Sequence, residues 1–166
     1  MNLAHDLLIQ ARHLAGLDAG RPKQANLRRA SSAAYYSLFH FLIWESARIV
    51  PKTPAGLRDR VCRTFHHNEM KQVCLPFSRG TLTPVVAALL HGPPSREIRS
   101  IAKIFVDLQE IRHNADYDLA AHFSRLETLQ TIERSESAQA AWGRIRNSDE
   151  ANVFLAALAF GARWAK

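Results

Sequence analysis

Cysteine is nearly absent from this 166-residue chain: Cys62 and Cys74 are the only two. That is too few for a disulfide framework and too few for an ordinary four-cysteine zinc site. No stretch approaches the ~20 apolar residues needed to span a bilayer. The opening MNLAHDLLIQARHLAG carries Asp6 within its apolar part, which makes it a poor signal peptide. Together these absences point to a reducing, cytoplasmic setting with no membrane role. A glycine-rich phosphate loop, a G-x-S-x-G elbow and an H-E-x-x-H pair are also missing, which removes three common chemistries from consideration. Lysine is scarce as well. Of 22 cationic residues 17 are arginine, and against 15 Asp plus Glu the formal net charge is +7. Arginine presents a planar fork that meets phosphate at two points, so the excess leans toward a polyanion, although a solvated basic surface produces the same count.

What is present is helical periodicity. No segment alternates apolar and polar residues for long enough to make a strand, and an all-α fold follows. A first helix is expected over Leu3 to Leu17, stopping at Gly16 and Gly20, and a long second one over Gln24 to Ile49, closed by Pro51. A third is expected over Leu57 to Val73. PFSRGTLTP and HGPPS then read as an irregular insertion with one short helix at Val85 to Leu90. Ser95 caps the next helix, with Glu97 in its first turn, and Ser124 with Glu127 makes a capping-box pattern for a helix reaching Ile145. A last helix starts at Ser148 and ends over Arg163 to Lys166. The expectation is a bundle of five to six helices in one domain, residues 1–166, with the Pro/Gly-containing insertion before the fifth-position helix that carries the polar motif described next.

Within the second helix, AAYYSLFHFLIW (Ala33 to Trp44) is apolar on nearly every side. Such a helix must be covered all round, either by the rest of the bundle or by a second copy of the chain. The helix from Ser95 carries Ile98, Ile101, Phe105 and Leu108 at steps of three and four, and the same steps lead to Arg112 and Ala115. Arg112 thus occupies a position where the pattern calls for a core residue, and its guanidinium must find an anion or water. Asp116, one turn on, offers an internal ion pair. The alternative is a cleft in which Arg112 holds phosphate with His113, Asn114 and Tyr117 as neighbours. Arg28 and Arg29 open the second helix where its dipole disfavours cations. Either Asp116 or Asp118 offsets them, or a bound anion does.

Cys62, His66, His67 and Cys74 form a further cluster in sequence. Cys62 and His66 are four apart, a zinc-compatible spacing, but Cys74 lies too far along to close a site. Buried thiols and surface histidines are the reading preferred, with no metal and no cofactor.

The segments NLRRASSAAYYSLFHFL (Asn26 to Leu42) and LQEIRHNADYDLAAHFSRLE (Leu108 to Glu127) resemble the HEPN superfamily of all-α domains. They are most similar to a prokaryotic branch with an RRA-small-YYA-FH helix and a later R-x-x-ADYD motif, and TFHHNEMKQVC adds a fainter likeness. The resemblance implies a helical bundle pairing into a homodimer, with the arginine motifs of both copies facing one cleft. It further implies a metal-independent endoribonuclease, often the toxin of a toxin–antitoxin pair whose partner is a small nucleotidyltransferase. In that motif the arginine would hold the scissile phosphate and a histidine about five to seven places on would move the proton.

On this chain the arginine is Arg112 and the polar residue after it is His113, while Tyr117, Asp118 and Leu119 stand where the histidine belongs. A phenol titrating near 10 is a poor base at neutral pH. His113 points about 100° away from Arg112 around the helix, and His122 lies beyond the helix end. Two functions remain. One is a ribonuclease toxin in which Tyr117 or a displaced histidine replaces the usual base, with Arg112, Asn114, Arg28 and Arg29 on the RNA phosphates. The other is a non-catalytic module binding RNA, a nucleotide or a partner protein through the same basic cleft.

Overall fold

The three-and-four spacing resolves into eight α-helices in the computed structural model, which describes residues 3–164, and among the described residues there is no strand. They are α1 (Leu3–Gly16), α2 (Gln24–Ala47), α3 (Leu57–Cys62), α4 (His67–Arg79), α5 (Pro84–Leu90), α6 (Arg96–Tyr117), α7 (Arg125–Ile145) and α8 (Asp149–Trp164). The all-α bundle expected from the periodicity is what the chain forms. For the last helix, the expected end at Lys166 lies outside the described residues.

The axis is α2. Fifteen of its 24 residues are buried, and α1, α3, α6, α7 and α8 all pack against it. An all-round apolar helix is stable in water only when wrapped in this way. One turn is left partly uncovered, where Trp44 is 55% exposed. On the opposite flank of the core, Phe77 of α4 meets Phe154 of α8 edge-on with ring centroids 4.9 Å apart, a geometry that aromatic quadrupoles favour.

Local chemistry sets the ends of the helices that matter for the site. Ser95 Oγ accepts from the Ile98 amide at 3.2 Å and starts α6. Ser124 and Glu127 close the capping box of α7 in both directions, at 3.2 and 3.0 Å. The cap and the box each satisfy amides that the helix itself cannot.

The middle region differs from the expectation in two ways, and the first shapes the site. The single helix expected over Leu57 to Val73 is two. At Thr64 the hydroxyl turns back to the Val61 carbonyl at 2.8 Å, Phe65 drops into the core, and His66 is extended, with φ −119° and ψ 136°. Burying the Phe65 ring contributes about 1.5–3 kcal/mol, enough to redirect a chain whose helical pattern is short. The second difference is that α4 runs through Pro76 to Arg79, residues expected to be irregular. Met70, Cys74 and Phe77 form one buried face of α4. Burying Met70 and Phe77 contributes about 1.5–3 kcal/mol each, which offsets the ~3 kcal/mol that an interior proline costs. The helix stops at Gly80, whose φ of 72° lets the Thr81 amide reach back to the Pro76 carbonyl at 3.0 Å. No single helix among the described residues is long and apolar enough to cross a membrane.

Candidate phosphate site between three helices

Because α6 keeps its register, Ile98, Ile101, Phe105, Leu108 and Ala115 are buried together. Arg112 shares their face, and its side chain is 16% exposed. The guanidinium is held from three sides. Nη2 donates to Tyr36 Oη at 2.7 Å. Nε lies 2.8 Å from Asp116 Oδ2, an ion-pair distance without the in-line direction of a hydrogen bond. The rings of Tyr36 and Tyr117 flank it, with Cζ 5.4 and 5.5 Å from their centroids. Asp116 is fixed in turn by Ser32, whose Oγ donates to Oδ1 at 2.6 Å. A guanidinium has five N–H donors, and Nη1 has no protein partner among the described residues. The ion pair weighed from the sequence therefore forms, and Arg112 still has donors that it does not use.

The neighbours expected on α6 are less uniform. Tyr117 is 63% exposed and covers Arg112 like a flap. His113 is exposed and lies against Tyr117 with ring centroids 5.2 Å apart, with no contact to the guanidinium itself among the described residues. The Asn114 side chain is exposed. His122 meets Gln24, with Nε2 to Nε2 at 3.3 Å. Gln24 precedes Tyr36 by twelve positions on α2, about three helical turns, so His122 is not among the groups around the guanidinium.

Arg28 takes neither carboxylate expected for it. Its guanidinium reaches the end of α6 and donates to backbone carbonyls: Ala115 at 3.1 Å, Asp118 at 2.9 Å, Asn114 and Leu119 at 3.4 Å, and Ala121. They belong to the last turn of α6 and to the turn that follows it, and a cation at a helix C-terminus suits the dipole. The cost that a cation incurs at the start of α2 is thus met by the negative end of α6. Asp118 instead turns its side chain back to the Ala120 amide, at 2.9 Å. Arg29 is exposed and takes no part in these contacts.

The break before α4 brings in residues that spacing along α6 had no means to reveal. His67, the first residue of α4, stacks on Phe39 at 4.0 Å and sets its Nδ1 2.7 Å from Tyr35 Oη. Its ring is edge-on to Tyr36 at 5.7 Å, and Tyr36 is stacked in turn with His40 at 6.2 Å. Burial, then the charge of Arg112, then His40 and His66 hold the His67 imidazole below its usual pKa. The positive end of the α4 dipole acts in the same direction. Burial pushes the Tyr35 phenol well above its ordinary value, so it stays a neutral hydroxyl. Gln109, one turn before Arg112 and 7% exposed, donates to Asn68 Oδ1 at 3.5 Å and leaves its own Oε1 without a partner. In the sequence, His67 stood out only in the zinc-like spacing and in TFHHNEMKQVC.

That zinc-like cluster does not assemble. Cys62 ends α3, His66 precedes α4, and Cys74 is buried with its thiol pushed up by desolvation. Among the described residues no three His, Cys, Asp or Glu side chains converge as metal ligands. A cleft of about 900 Å³ flanks the uncovered turn of α2 and is lined by Trp44, Phe41, Cys62, Arg63 and Phe65. It shares only Phe39 and His40 with the surroundings of His67 and does not include Arg112. The chemistry is concentrated at Arg112, and volume alone would have directed attention elsewhere. No family model, curated protein or solved structure matches the chain.

Proposed function

We propose that the chain is a HEPN-like helical protein that acts on RNA in the cytoplasm through the Arg112 cleft, as a metal-independent endoribonuclease of a toxin–antitoxin system. In this reading it is a two-fold homodimer, its two Arg112 clefts face one another, and a small nucleotidyltransferase is the antitoxin. One observation carries the proposal: an arginine on the buried face of α6, steadied by Asp116 and Tyr36 and flanked by aromatic rings, leaves Nη1 without a partner among the described residues. A fixed guanidinium with free donors is suited to a phosphodiester, and exposed rings such as Tyr117 are suited to unstacked bases.

A second reading is supported by Tyr117 itself. It stands where the motif histidine belongs, and no shortened phenol contact marks it as a base; a non-catalytic module binding RNA, a nucleotide or a partner protein would use the same cleft. Incubation of the pure protein with single-stranded and structured RNA, in the presence of a chelator, separates the two. Cleavage that disappears in Arg112→Ala supports the nuclease. RNA or nucleotide binding that disappears without any cleavage supports the module. If neither Arg112→Ala nor Tyr117→Phe alters cleavage or binding, the cleft reading fails.

A further inference from the structure

We propose that His67 is the second ligand of the anion held by Arg112, and that it takes up a proton when that anion, a phosphate ester, binds. The inference rests on the proposed function only in treating Arg112 as a phosphate holder. It holds for nuclease and binding module alike.

Three features of the site lead to it. The first is position: Tyr36 touches both groups, accepting from Arg112 Nη2 at 2.7 Å and lying edge-on to the His67 ring at 5.7 Å. The two therefore pack on Tyr36 from different helices, α6 and α4, near enough for the charge of Arg112 to act on the ring. The second is orientation. Stacking on Phe39 and the contact of Nδ1 with Tyr35 fix the ring and leave Nε2, its opposite nitrogen, without a partner among the described residues.

The third feature is the charge around the ring. From α2 it faces Tyr35, Tyr36 and His40, from α6 Arg112, and on its own segment His66; no carboxylate is among the groups that act on it. Asp116 is engaged by Arg112 and Ser32. With the one carboxylate nearby so engaged and none facing the imidazole, a proton on His67 has no counter-charge until an anion arrives. A phosphate ester bound between Arg112 and His67 reverses the balance. Its negative charge stabilises the imidazolium, and Nε2–H donates to a phosphate oxygen while Arg112 Nη1 donates to another. Tyr35 accommodates both states of the ring, since a neutral phenol can donate to Nδ1 before protonation and accept from Nδ1–H after it.

The sign follows from linkage. In the free protein His67 is held neutral down to a pH below its ordinary range, and in the complex it keeps its proton to a higher pH. Between those two values binding takes up one proton, so affinity falls as pH rises, by up to roughly tenfold per pH unit.

The test is fluorescence anisotropy with a labelled, short single-stranded oligoribonucleotide at constant ionic strength, from about pH 5.5 to 8. Wild-type protein is expected to lose affinity steadily as pH rises. His67→Gln is expected to keep the affinity of the high-pH end and to lose most of the slope. A slope unchanged in His67→Gln, with binding abolished in Arg112→Ala, overturns the role of His67 and leaves the Arg112 reading standing. Wild-type affinity retained by Arg112→Ala overturns both. An NMR titration of the His67 ring in the wild-type protein requires no variant to fold. Its pKa is expected to rise on adding inorganic phosphate and on adding a nucleoside 3′-phosphate. A rise with the nucleotide alone assigns the site to nucleotides or RNA rather than to free phosphate, and no rise with either refutes the proposal.

Discussion

Two charged clusters lie along α2, about two turns apart, and they are built on opposite principles. At the C-terminal end Glu45, 3% exposed, is saturated. Its Oε2 accepts from Trp142 Nε1 at 2.9 Å, Arg146 Nε at 2.7 Å and Arg48 Nη1 at 2.8 Å, and its Oε1 accepts from Arg146 Nη2 at 2.7 Å. Both oxygens of the central group are taken, and only the solvent-facing N–H groups of Arg48 and Arg146, 37% and 41% exposed, remain around it. Around Tyr36 the arrangement is reversed: the central group is a cation, its single carboxylate partner is shared with Ser32, and Nη1 of Arg112 has no partner among the described residues. A closed central group joins helices and an open one can receive a ligand. The state of the buried central group, rather than the count of donors around it, separates the two roles.

The largest expected effect follows from closing versus opening. Glu45→Gln leaves a buried amide facing Arg146 and Arg48, whose side chains are 41% and 37% exposed and so remain solvated; the loss is that of charge-assisted hydrogen bonds rather than of a fully buried pair, about 3 kcal/mol. Urea denaturation at neutral pH checks the figure. The same cluster makes stability depend on pH. Burial pushes the Glu45 carboxyl up, but hydrogen bonds from Arg146 and Trp142 and the charges of Arg146 and Arg48 outweigh it, and the folded pKa lies below the ordinary carboxylate value. A depressed folded pKa contributes stability above the unfolded value and loses it as pH falls through the folded one. The wild-type protein should therefore lose this contribution below about pH 4.5, and Glu45→Gln should lack that acid-side loss. An acid limb of equal depth in the variant would mean that other carboxylates govern it.

Next in size is Arg28, which belongs with the closed clusters despite its place in an arginine doublet. Arg28→Ala removes the cation that ties the carbonyls of Ala115 and Asp118 together at the end of α6, and hydrogen bonds to a charged group contribute about 1.5–3 kcal/mol. The melting temperature should fall while RNA affinity per folded molecule stays near wild type. A variant that loses affinity at full stability would move Arg28 into the open class.

Arg112→Met should show the opposite pattern. The side chain keeps its bulk on the face of α6, and Asp116 retains Ser32 and solvent on its 21%-exposed side chain. The expected stability loss is only about 1 kcal/mol, against complete loss of RNA or phosphate binding. Equal damage to stability and binding would make Arg112 a second Glu45.

How much of this was legible beforehand depends on the length of the pattern that carried it. The register of α6 runs unbroken from Ile98 to Ala115, so the placement of Arg112 on the buried face could be read from spacing, as could the ion pair to Asp116 one turn away. The capping of α6 and α7 was equally legible, because Ser95, Ser124 and Glu127 act within their own first turns. The break between α3 and α4 was not. It depends on Phe65 finding the core, a tertiary fact, and with it went the position of His67 beside Arg112. Arg28 shows the same limit, since its partners are backbone carbonyls some 90 positions later, and carbonyls leave no mark in a sequence.

The smallest effect tests how the open cluster is held. Tyr36 supports Arg112 in two ways, through its hydroxyl at 2.7 Å and through the face of its ring at 5.4 Å. Tyr36→Phe removes only the first. A single hydrogen bond of this kind contributes about 1 kcal/mol, so RNA affinity should weaken about fivefold, with the fold intact because the ring remains packed. Tyr36→Leu removes the ring face as well and should weaken binding further, by the cation–π contribution of about 0.5–2 kcal/mol. If Tyr36→Phe instead abolishes binding as fully as Arg112→Met, the hydroxyl is a ligand in its own right. The cleft then extends across α2, and the guanidinium is one of its walls rather than its centre.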